Sequence, residues 1–178
     1  MNLILHLNAR FQPKDRFELE DALQEIFEKN SVGEVIGGGT LLKENGEIDS
    51  CDIEIDLYEG QKSLEWLIDL LNKIGIPKGS VIQGVEPPIN VGTLEGLAIY
   101  LNGTELPEEV YTNCDVNYVI NQLELAVDLN GSMYSYIELN EFTALYFYGV
   151  SFSMMKEKME PFVSAYPLCQ KCRIEQIA

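Results

Sequence analysis

The middle of the chain lacks basic residues: residues 79–155 contain no lysine, arginine or histidine. Carboxylates are spread through the same stretch, and the whole chain of 178 residues has a formal charge of −17. A negative field of this kind repels nucleic acids and anionic membranes and attracts basic proteins. We therefore expect a basic protein as the partner, and neither a nucleic acid nor a membrane.

Cysteines and long apolar segments are also scarce. The four cysteines are too few for a disulfide scaffold of this size, which favours a reducing cytosol. The apolar start, residues 1–7, is too short to cross a membrane and lacks the basic residues of a secretory signal. At 46% hydrophobic residues, however, the chain has enough apolar side chains for a folded core. These features predict a folded, acidic, cytoplasmic protein.

The first 86 residues predict secondary-structure elements in the order β-α-β-β-α-β. Apolar residues recur at helical spacing after Pro13 and after Ser63, which predicts two helices. Asn45-Gly46 accepts the positive φ values of a type I′ turn and predicts a hairpin. The predicted strands cover residues 3–11, 34–43, 47–58 and 80–85. This order is the split βαβ arrangement of a ferredoxin-like domain.

The same order of elements recurs in the second half. The prolines and glycines of residues 87–96 predict a linker. Beyond it, strands are expected at residues 97–102, 131–139, 142–148 and 172–177, and helices at residues 115–129 and 151–165. Pro161 is expected to kink or restart the last helix. We therefore predict an α+β fold with ferredoxin-like units at residues 1–86 and 97–178; the alternative is a single domain with one continuous antiparallel sheet.

Three carboxylates are expected on the uncovered face of the first sheet. Strand alternation buries Cys51 and the apolar residues at every second position after it, and places Asp52, Glu54 and Asp56 on the other face, about 7 Å apart. Like charges in a row repel one another unless a cation approaches. This stripe is a predicted docking site for lysine and arginine side chains of a partner, and the alternative is an ordinary solvated face.

Tyrosines take the place of the acids on the second sheet. Alternation predicts that Tyr134 and Tyr136 share one side of their strand, and that Tyr146 and Tyr148 share one side of the next. Tyrosine is frequent in interfaces because it combines a large apolar area with a polar tip. These rings are therefore candidate partner contacts. The alternative is that they pack the two halves against each other or close a homodimer.

No residue pattern predicts catalysis, a cofactor or a metal site. Cys169 and Cys172 have CxxC spacing, but they follow a helix and do not precede one as a redox pair does. The glycines of residues 37–39 lie inside a strand pattern without a phosphate-loop lysine, which predicts a bulge or a close backbone approach. His6, the only histidine, is expected to be a hydrogen-bonded structural residue.

Three stretches in the first third of the chain carry a family resemblance. They are HLNARFQPKDRFELEDAL, GEVIGGGTLL and CDIEIDLYE, at residues 6–23, 33–42 and 51–59. Together they resemble bacterial immunity proteins of polymorphic-toxin and contact-dependent inhibition systems. The resemblance implies a small cytosolic protein that binds a cognate toxin domain, often a nuclease, and blocks its active site with acidic side chains. The candidate contacts are Asp52, Glu54, Asp56, Glu108, Glu109, Tyr134, Tyr136, Tyr146 and Tyr148.

Two other functions remain open on the sequence alone. Tandem ferredoxin-like units often bind small molecules at the seam between repeats, and the glycines of residues 37–39 would allow a ligand to approach closely. An acid–base enzyme would use His6 together with a nearby carboxylate. Because fold alone does not choose between such functions, the prediction rests on charge: a binding protein, and not an enzyme.

Overall fold

The computed structural model describes residues 1–178 and divides into two compact units, Met1–Leu94 and Glu95–Ile177. Each unit is a mixed α+β structure built on its own antiparallel sheet, with five strands in the first unit and four in the second. The predicted fold class is therefore confirmed. The alternative of one continuous sheet is wrong, because no strand of one sheet pairs with a strand of the other.

The first unit has the strand order of a ferredoxin-like domain with one strand added. Its sheet runs β2-β3-β1-β4-β5, and every neighbouring pair is antiparallel. The elements are β1 (Asn2–Leu7), α1 (Pro13–Asn30), β2 (Gly33–Leu42), β3 (Ile48–Leu57), α2 (Gln61–Ile74), β4 (Ser80–Gln83) and β5 (Ile89–Val91). Both helices contribute buried apolar residues to one core, and the rings of Phe27 and Trp66 join them at 6.1 Å between centroids.

The second unit repeats this order with one extra helix. Its sheet runs β7-β8-β6-β9, which corresponds strand for strand to β2-β3-β1-β4. The elements are β6 (Glu95–Asn102), α3 (Glu108–Asn113), α4 (Val116–Val127), β7 (Gly131–Glu138), β8 (Phe142–Gly149), α5 (Phe152–Ala165) and β9 (Arg173–Gln176). The core lies between the sheet and helices α4 and α5, around Ile99, Leu123 and Met159.

The segment predicted as a linker is structured. Residues 87–96 contain β5, which pairs with β4, and the first residues of β6. The two prolines that suggested a linker precede β5, where a missing backbone N–H costs no ladder hydrogen bond. The predicted boundary at residue 86 is therefore displaced, and the first unit continues to Leu94.

Local details differ from the predictions at one hairpin turn and in two helices. The first hairpin forms, but only Gly46 of Asn45-Gly46 has a positive φ, 85°, so the turn is not type I′. Helix α2 begins at Gln61, and Ser63 instead accepts a hydrogen bond from the Glu59 amide at 3.3 Å. Pro161 lies within a single helix, α5, and does not restart it.

Both units carry a β-bulge at the same place in the sheet. In β2 the register shifts between Val35 and Gly37, and in β7 it shifts between Met133 and Ser135. Leu5 pairs with Ile53 at the centre of the first sheet, as Ile99 pairs with Leu145 in the second. With these central pairs superimposed, the two bulges coincide. This register defines which residues of the two units correspond.

Candidate functional site

The uncovered face of the first sheet presents the three carboxylates of β3 as predicted. Burial alternates along β3, so that Asp52, Glu54 and Asp56 reach solvent while Ile53 and Ile55 are fully buried. The alternation follows from the pleat of the strand, which points successive side chains to opposite faces. The two faces of one strand thus carry the core and the candidate site.

Two of these carboxylates already have neighbours that carry or can carry positive charge. The Nδ1 atom of His6 lies 2.7 Å from Oδ1 of Asp52, because the two residues are register partners in β1 and β3. The Met1 ammonium donates to Oδ1 of Asp56 at 2.7 Å. Glu54 lies between them and forms no ion pair. The negative charge of the stripe is therefore partly compensated at Asp52 and Asp56 and uncompensated at Glu54.

Strand β2 leaves the flank of the stripe open. Gly37 and Gly39 lie opposite Glu54 and Asp52, and neither has a side chain to cover the carboxylate beside it. A Cβ at Gly39 would meet no atom within 4 Å. Glu34 lies opposite Asp56 and adds a fourth carboxylate. We call Glu34, Asp52, Glu54 and Asp56, with the two flanking glycines, the acidic face.

Gly38, between those two glycines, is the member of the run that close packing requires to be glycine. It points to the helix side, where a Cβ would overlap Arg16 and Glu20 of α1. The prediction for residues 37–39 is a bulge or a close backbone approach. The close approach is confirmed at Gly38, whereas the bulge lies just before the run, between Val35 and Gly37.

Electrostatics suits the acidic face to bind cationic side chains. Four carboxylates there face one ammonium group and one imidazole, so the face stays negative when His6 is neutral. Lysine or arginine side chains of a partner would relieve the repulsion within the stripe. No group of three or more histidine, cysteine or acidic side chains is arranged to hold a metal ion.

The other two predicted acidic contacts lie in the second unit. Glu108 and Glu109 form the first turn of α3, which begins after Pro107. Negative charge is favourable there because the helix dipole places partial positive charge at the N-terminus. The dipole of helix α3 is therefore a structural reason for these two acidic residues, apart from any contact with a partner.

Two of the four predicted tyrosine contacts are wrong. Tyr146 and Tyr148 have relative exposures of 0% and 1%, so neither ring is available to a partner. Strand β8 is buried on both faces from Ala144 to Tyr148, where the prediction expected one exposed side. Strand β8 has no charged residue that must reach water, so its composition permits burial of both faces. What packs over the sheet decides whether that burial occurs.

The bulge in β7 separates the other two tyrosines. Tyr136 lies opposite Leu145 and therefore faces the helix side, whereas the Tyr134 ring packs against Tyr148 at 5.2 Å between centroids, on the other side. Tyr134 is 37% exposed and Tyr136 is 47% exposed, but their side chains do not share one side as predicted. One extra residue in a strand reverses the side on which every later side chain falls.

His6 and Asp52 form the histidine–carboxylate pair that an acid–base enzyme would need, but no nucleophile accompanies them. The neighbouring thiol, Cys51, points to the opposite face of β3 and donates a hydrogen bond to the Phe11 carbonyl at 3.4 Å. Burial raises the pKa of this thiol, which favours the unreactive protonated form. The contact joins the neighbouring strands β1 and β3, in which the two residues are register partners.

Of the CxxC cysteines, Cys169 is buried and Cys172 is half-buried, and the pKa of each thiol is raised. Cys169 ends a single turn of 3₁₀ helix, and desolvation together with the neighbouring Cys172 and Cys114 raises its pKa to about 12. Desolvation also raises the pKa of Cys172. A redox pair requires the opposite shift, because the thiolate is the nucleophile.

Sequence reasoning missed the contributions of β2 to the site. Simple alternation from Glu34 puts Ile36 and Gly38 on its side of the strand, whereas the bulge puts Gly37 and Gly39 there. A bulge within residues 37–39 was expected, but its exact position was not encoded in the alternation pattern. The glycine run was the signal that pointed to this region.

Comparison with known proteins leaves the family open. No protein-family model and no curated protein matches the chain. Among solved structures, the first two RRM domains of a yeast poly(U)-binding protein match at 10% identity, with 99% of both chains covered and a TM-score of 0.27. An anthrone oxidase-like protein matches at 8% identity, covering 98% of this chain and 89% of that one, with a TM-score of 0.28. Scores this low carry no argument about function, so the fold assignment stands on strand order and register.

No helix of either unit is both long enough and apolar enough to cross a bilayer.

Proposed function

We propose that this chain is a binding protein that captures a basic protein partner on the acidic face of its first unit. The observation that carries the proposal is the row of Asp52, Glu54 and Asp56, which share one exposed side of β3 beside two glycines. Interfaces gain specificity and association rate from complementary charge, and the −17 net charge extends the attraction beyond the contact itself.

The resemblance of the first third of the chain gives the proposal its specific form. In this form the protein is a bacterial immunity protein, and its partner is a toxin domain with a basic active-site cleft that normally binds phosphates. The carboxylates of the acidic face would occupy that cleft. Glu108 and Glu109 remain candidate contacts in the second unit, because both are exposed in α3.

The experiment that tests the proposal starts from gene order. The product of the reading frame immediately upstream is co-expressed with this chain, and the complex is purified and its dissociation constant measured. The triple variant Asp52→Asn, Glu54→Gln, Asp56→Asn should weaken binding at least tenfold, since charge pairs at the centre of an interface are worth more than about 1.4 kcal/mol together.

A matched control removes the same charge elsewhere in the first unit. The variant Asp21→Asn, Glu65→Gln, Asp69→Asn changes three exposed carboxylates of α1 and α2. It should bind within about twofold of the parent chain, because these residues lie on helices away from the open face. Equal weakening by both variants would show that only net charge matters, and would reject the acidic face as the site.

A further inference from the structure

The second unit contains an open-mouthed cavity of about 890 Å³ on the helix side of its sheet. The ends of strands β6, β7 and β8 form its floor, and the first turns of α4 with the preceding residues form its wall. This volume is within the range of small-molecule sites in proteins. The cavity lies within the second unit and shares no residue with the acidic face.

The register that relates the two units shows what fills the corresponding place in the first unit. Gly38 and Thr40 correspond to Tyr136 and Glu138, because Gly38 faces Ile53 just as Tyr136 faces Leu145. The guanidinium of Arg16 lies over Gly38 and Thr40: a Cβ on Gly38 would overlap it, and its Nε donates to Thr40 Oγ1 at 3.4 Å. An organic cation of the chain itself thus closes this place in the first unit.

The guanidinium of Arg16 is buried, and a carboxylate balances its charge. The Arg16 side chain is 6% exposed and pairs with Glu20 one helical turn away. A buried guanidinium is stable only when a carboxylate and further acceptors surround it. The first unit therefore shows that the space between the first helix and the floor of the sheet accommodates a guanidinium group with its carboxylate partner.

The second unit supplies the carboxylate at this place but no cation. Glu138 stands where the first unit has Thr40, and no lysine, arginine or histidine lines the cavity. Asp115 adds a second carboxylate, which caps α4 by accepting from the Asn117 amide at 2.8 Å. The charge of the lining is therefore negative, whereas the charges of Arg16 and Glu20 balance each other in the filled site of the first unit.

The remaining lining is suited to the apolar stem of such a cation. Val116 and Ile120 of α4 face the cavity together with Leu101 and Leu145 of the sheet, and the ring of Tyr136 borders it. An aromatic ring and a carboxylate in one pocket are the usual elements for binding an organic cation.

We propose that this cavity is a binding site for a small molecule that carries a guanidinium or ammonium group on an apolar stem. The cation takes the position that Arg16 occupies in the first unit and pairs with Glu138. The stem packs between Val116, Ile120 and Tyr136. This site is independent of the acidic face, and its ligand does not depend on the protein partner proposed above.

The test uses calorimetric titration of the full chain with three probes of nearly equal shape. Benzylguanidine and benzylamine carry the charge, and benzylurea is neutral. At least one charged probe should bind, and benzylurea should bind at least tenfold more weakly than it, because a charge-assisted hydrogen bond contributes more than that factor. Absence of binding by both charged probes, or equal binding of benzylurea, would overturn the proposal.

Two variants locate the binding site, and a control variant together with circular dichroism separates loss of binding from loss of folding. Glu138→Gln should weaken binding of the charged probe at least tenfold. Glu141→Gln makes an equal change of charge in the adjacent turn and should leave the affinity for that probe unchanged. Val116→Trp, which fills the cavity from α4, should abolish binding while the circular dichroism spectrum stays that of the parent. Unchanged binding in Glu138→Gln or Val116→Trp would contradict the assignment.

A peptide probe separates a free ligand from the side chain of a protein. The capped tripeptide acetyl-Gly-Arg-Gly-amide presents the same guanidinium on a peptide backbone. The proposal expects benzylguanidine or benzylamine to bind more tightly than the peptide, because a free small molecule enters the cavity without placing a peptide backbone at its mouth. Tighter binding of the peptide would assign the cavity to an arginine of a protein partner and overturn the small-molecule assignment.

Discussion

The two sheets share one strand order and one bulge position but present opposite chemistry at corresponding positions. Glu54 in β3 corresponds to Tyr146 in β8, since each lies next to the central pair of its sheet. Glu54 is exposed, whereas Tyr146 is fully buried. The comparison teaches that topology positions the strands, while the side chains at a few equivalent sites decide which sheet face remains available for binding.

The same comparison on the helix side has the reverse outcome. The first unit is closed there by Arg16 and Glu20 above Gly38. The second unit has Tyr136 at the position of Gly38 and remains open as a cavity. Each unit is thus accessible where the other is filled, and substitutions at corresponding positions separate the two arrangements.

The largest expected effect comes from exchanging the residue types at the corresponding positions 54 and 146. Tyr146→Glu places a carboxylate in a fully buried site and should lower the free energy of unfolding by about 4 kcal/mol or more, or prevent folding. Glu54→Tyr, at the corresponding exposed position, should change it by less than about 1 kcal/mol. Urea denaturation followed by circular dichroism measures both, and similar costs for the two variants would contradict the contrast between the sheets.

The next effect distinguishes two neighbouring glycines of β2. Gly38→Ala should destabilise the chain by about 2 kcal/mol, because the new Cβ overlaps Arg16 and Glu20. Gly39→Ala adds a Cβ to open space and should stay within about 0.5 kcal/mol of the parent. Thermal unfolding of the two variants provides the comparison, and equal melting temperatures would show that α1 does not close this side of the first unit as described.

A smaller effect is expected for the pair at the edge of the acidic face. His6→Ala should cost about 1 kcal/mol or less, because both side chains of the His6–Asp52 pair are about one-third exposed and solvent screens the interaction. The double variant with Asp52→Asn should cost less than the sum of the two single variants. A loss above about 3 kcal/mol would indicate a buried network in place of an exposed pair.

The smallest effect at neutral pH is that of Cys169 in the second unit, because its contribution to stability changes only at high pH. Cys169 has its pKa raised from the ordinary 9.0 to about 12, so the unfolded chain loses this proton at a lower pH than the folded one. The contribution of Cys169 to stability should therefore be constant below about pH 9 and should fall as pH rises from 9 toward 12. Urea titrations at several pH values should show a shallower decline in Cys169→Ala, and an identical decline would assign the dependence to other groups.

Much of the fold was predictable from the sequence because it depends on local patterns. Amphipathic periodicity located the four principal helices, and strict alternation in β3 identified the exposed carboxylates. Helix α3 and strand β5 were not predicted, since six and three residues are too short to establish a period. Their existence depends on tertiary packing and on pairing with β4.

The candidate site was predictable only where a strand keeps its period. The bulge at Tyr134 broke the period in β7, so alternation assigned Tyr134 and Tyr136 to one face incorrectly. Burial of Tyr146 and Tyr148 depends on what packs over the sheet, and that information is not contained in the strand itself. The cavity likewise follows from the spacing between α4 and the sheet, which no sequence pattern encodes.

The central claim, that the acidic face captures a basic partner, is tested most directly by association kinetics. Stopped-flow rates with the product of the upstream reading frame are measured at low and high salt for the parent chain and for the two triple variants described above. We predict that the association rate of the parent chain falls about tenfold or more from low to high salt. The Asp52, Glu54, Asp56 variant should lower the rate at low salt. The Asp21, Glu65, Asp69 variant should leave that rate nearly unchanged. If the Asp52, Glu54, Asp56 variant associates with the partner at the rate of the parent chain, the account is contradicted.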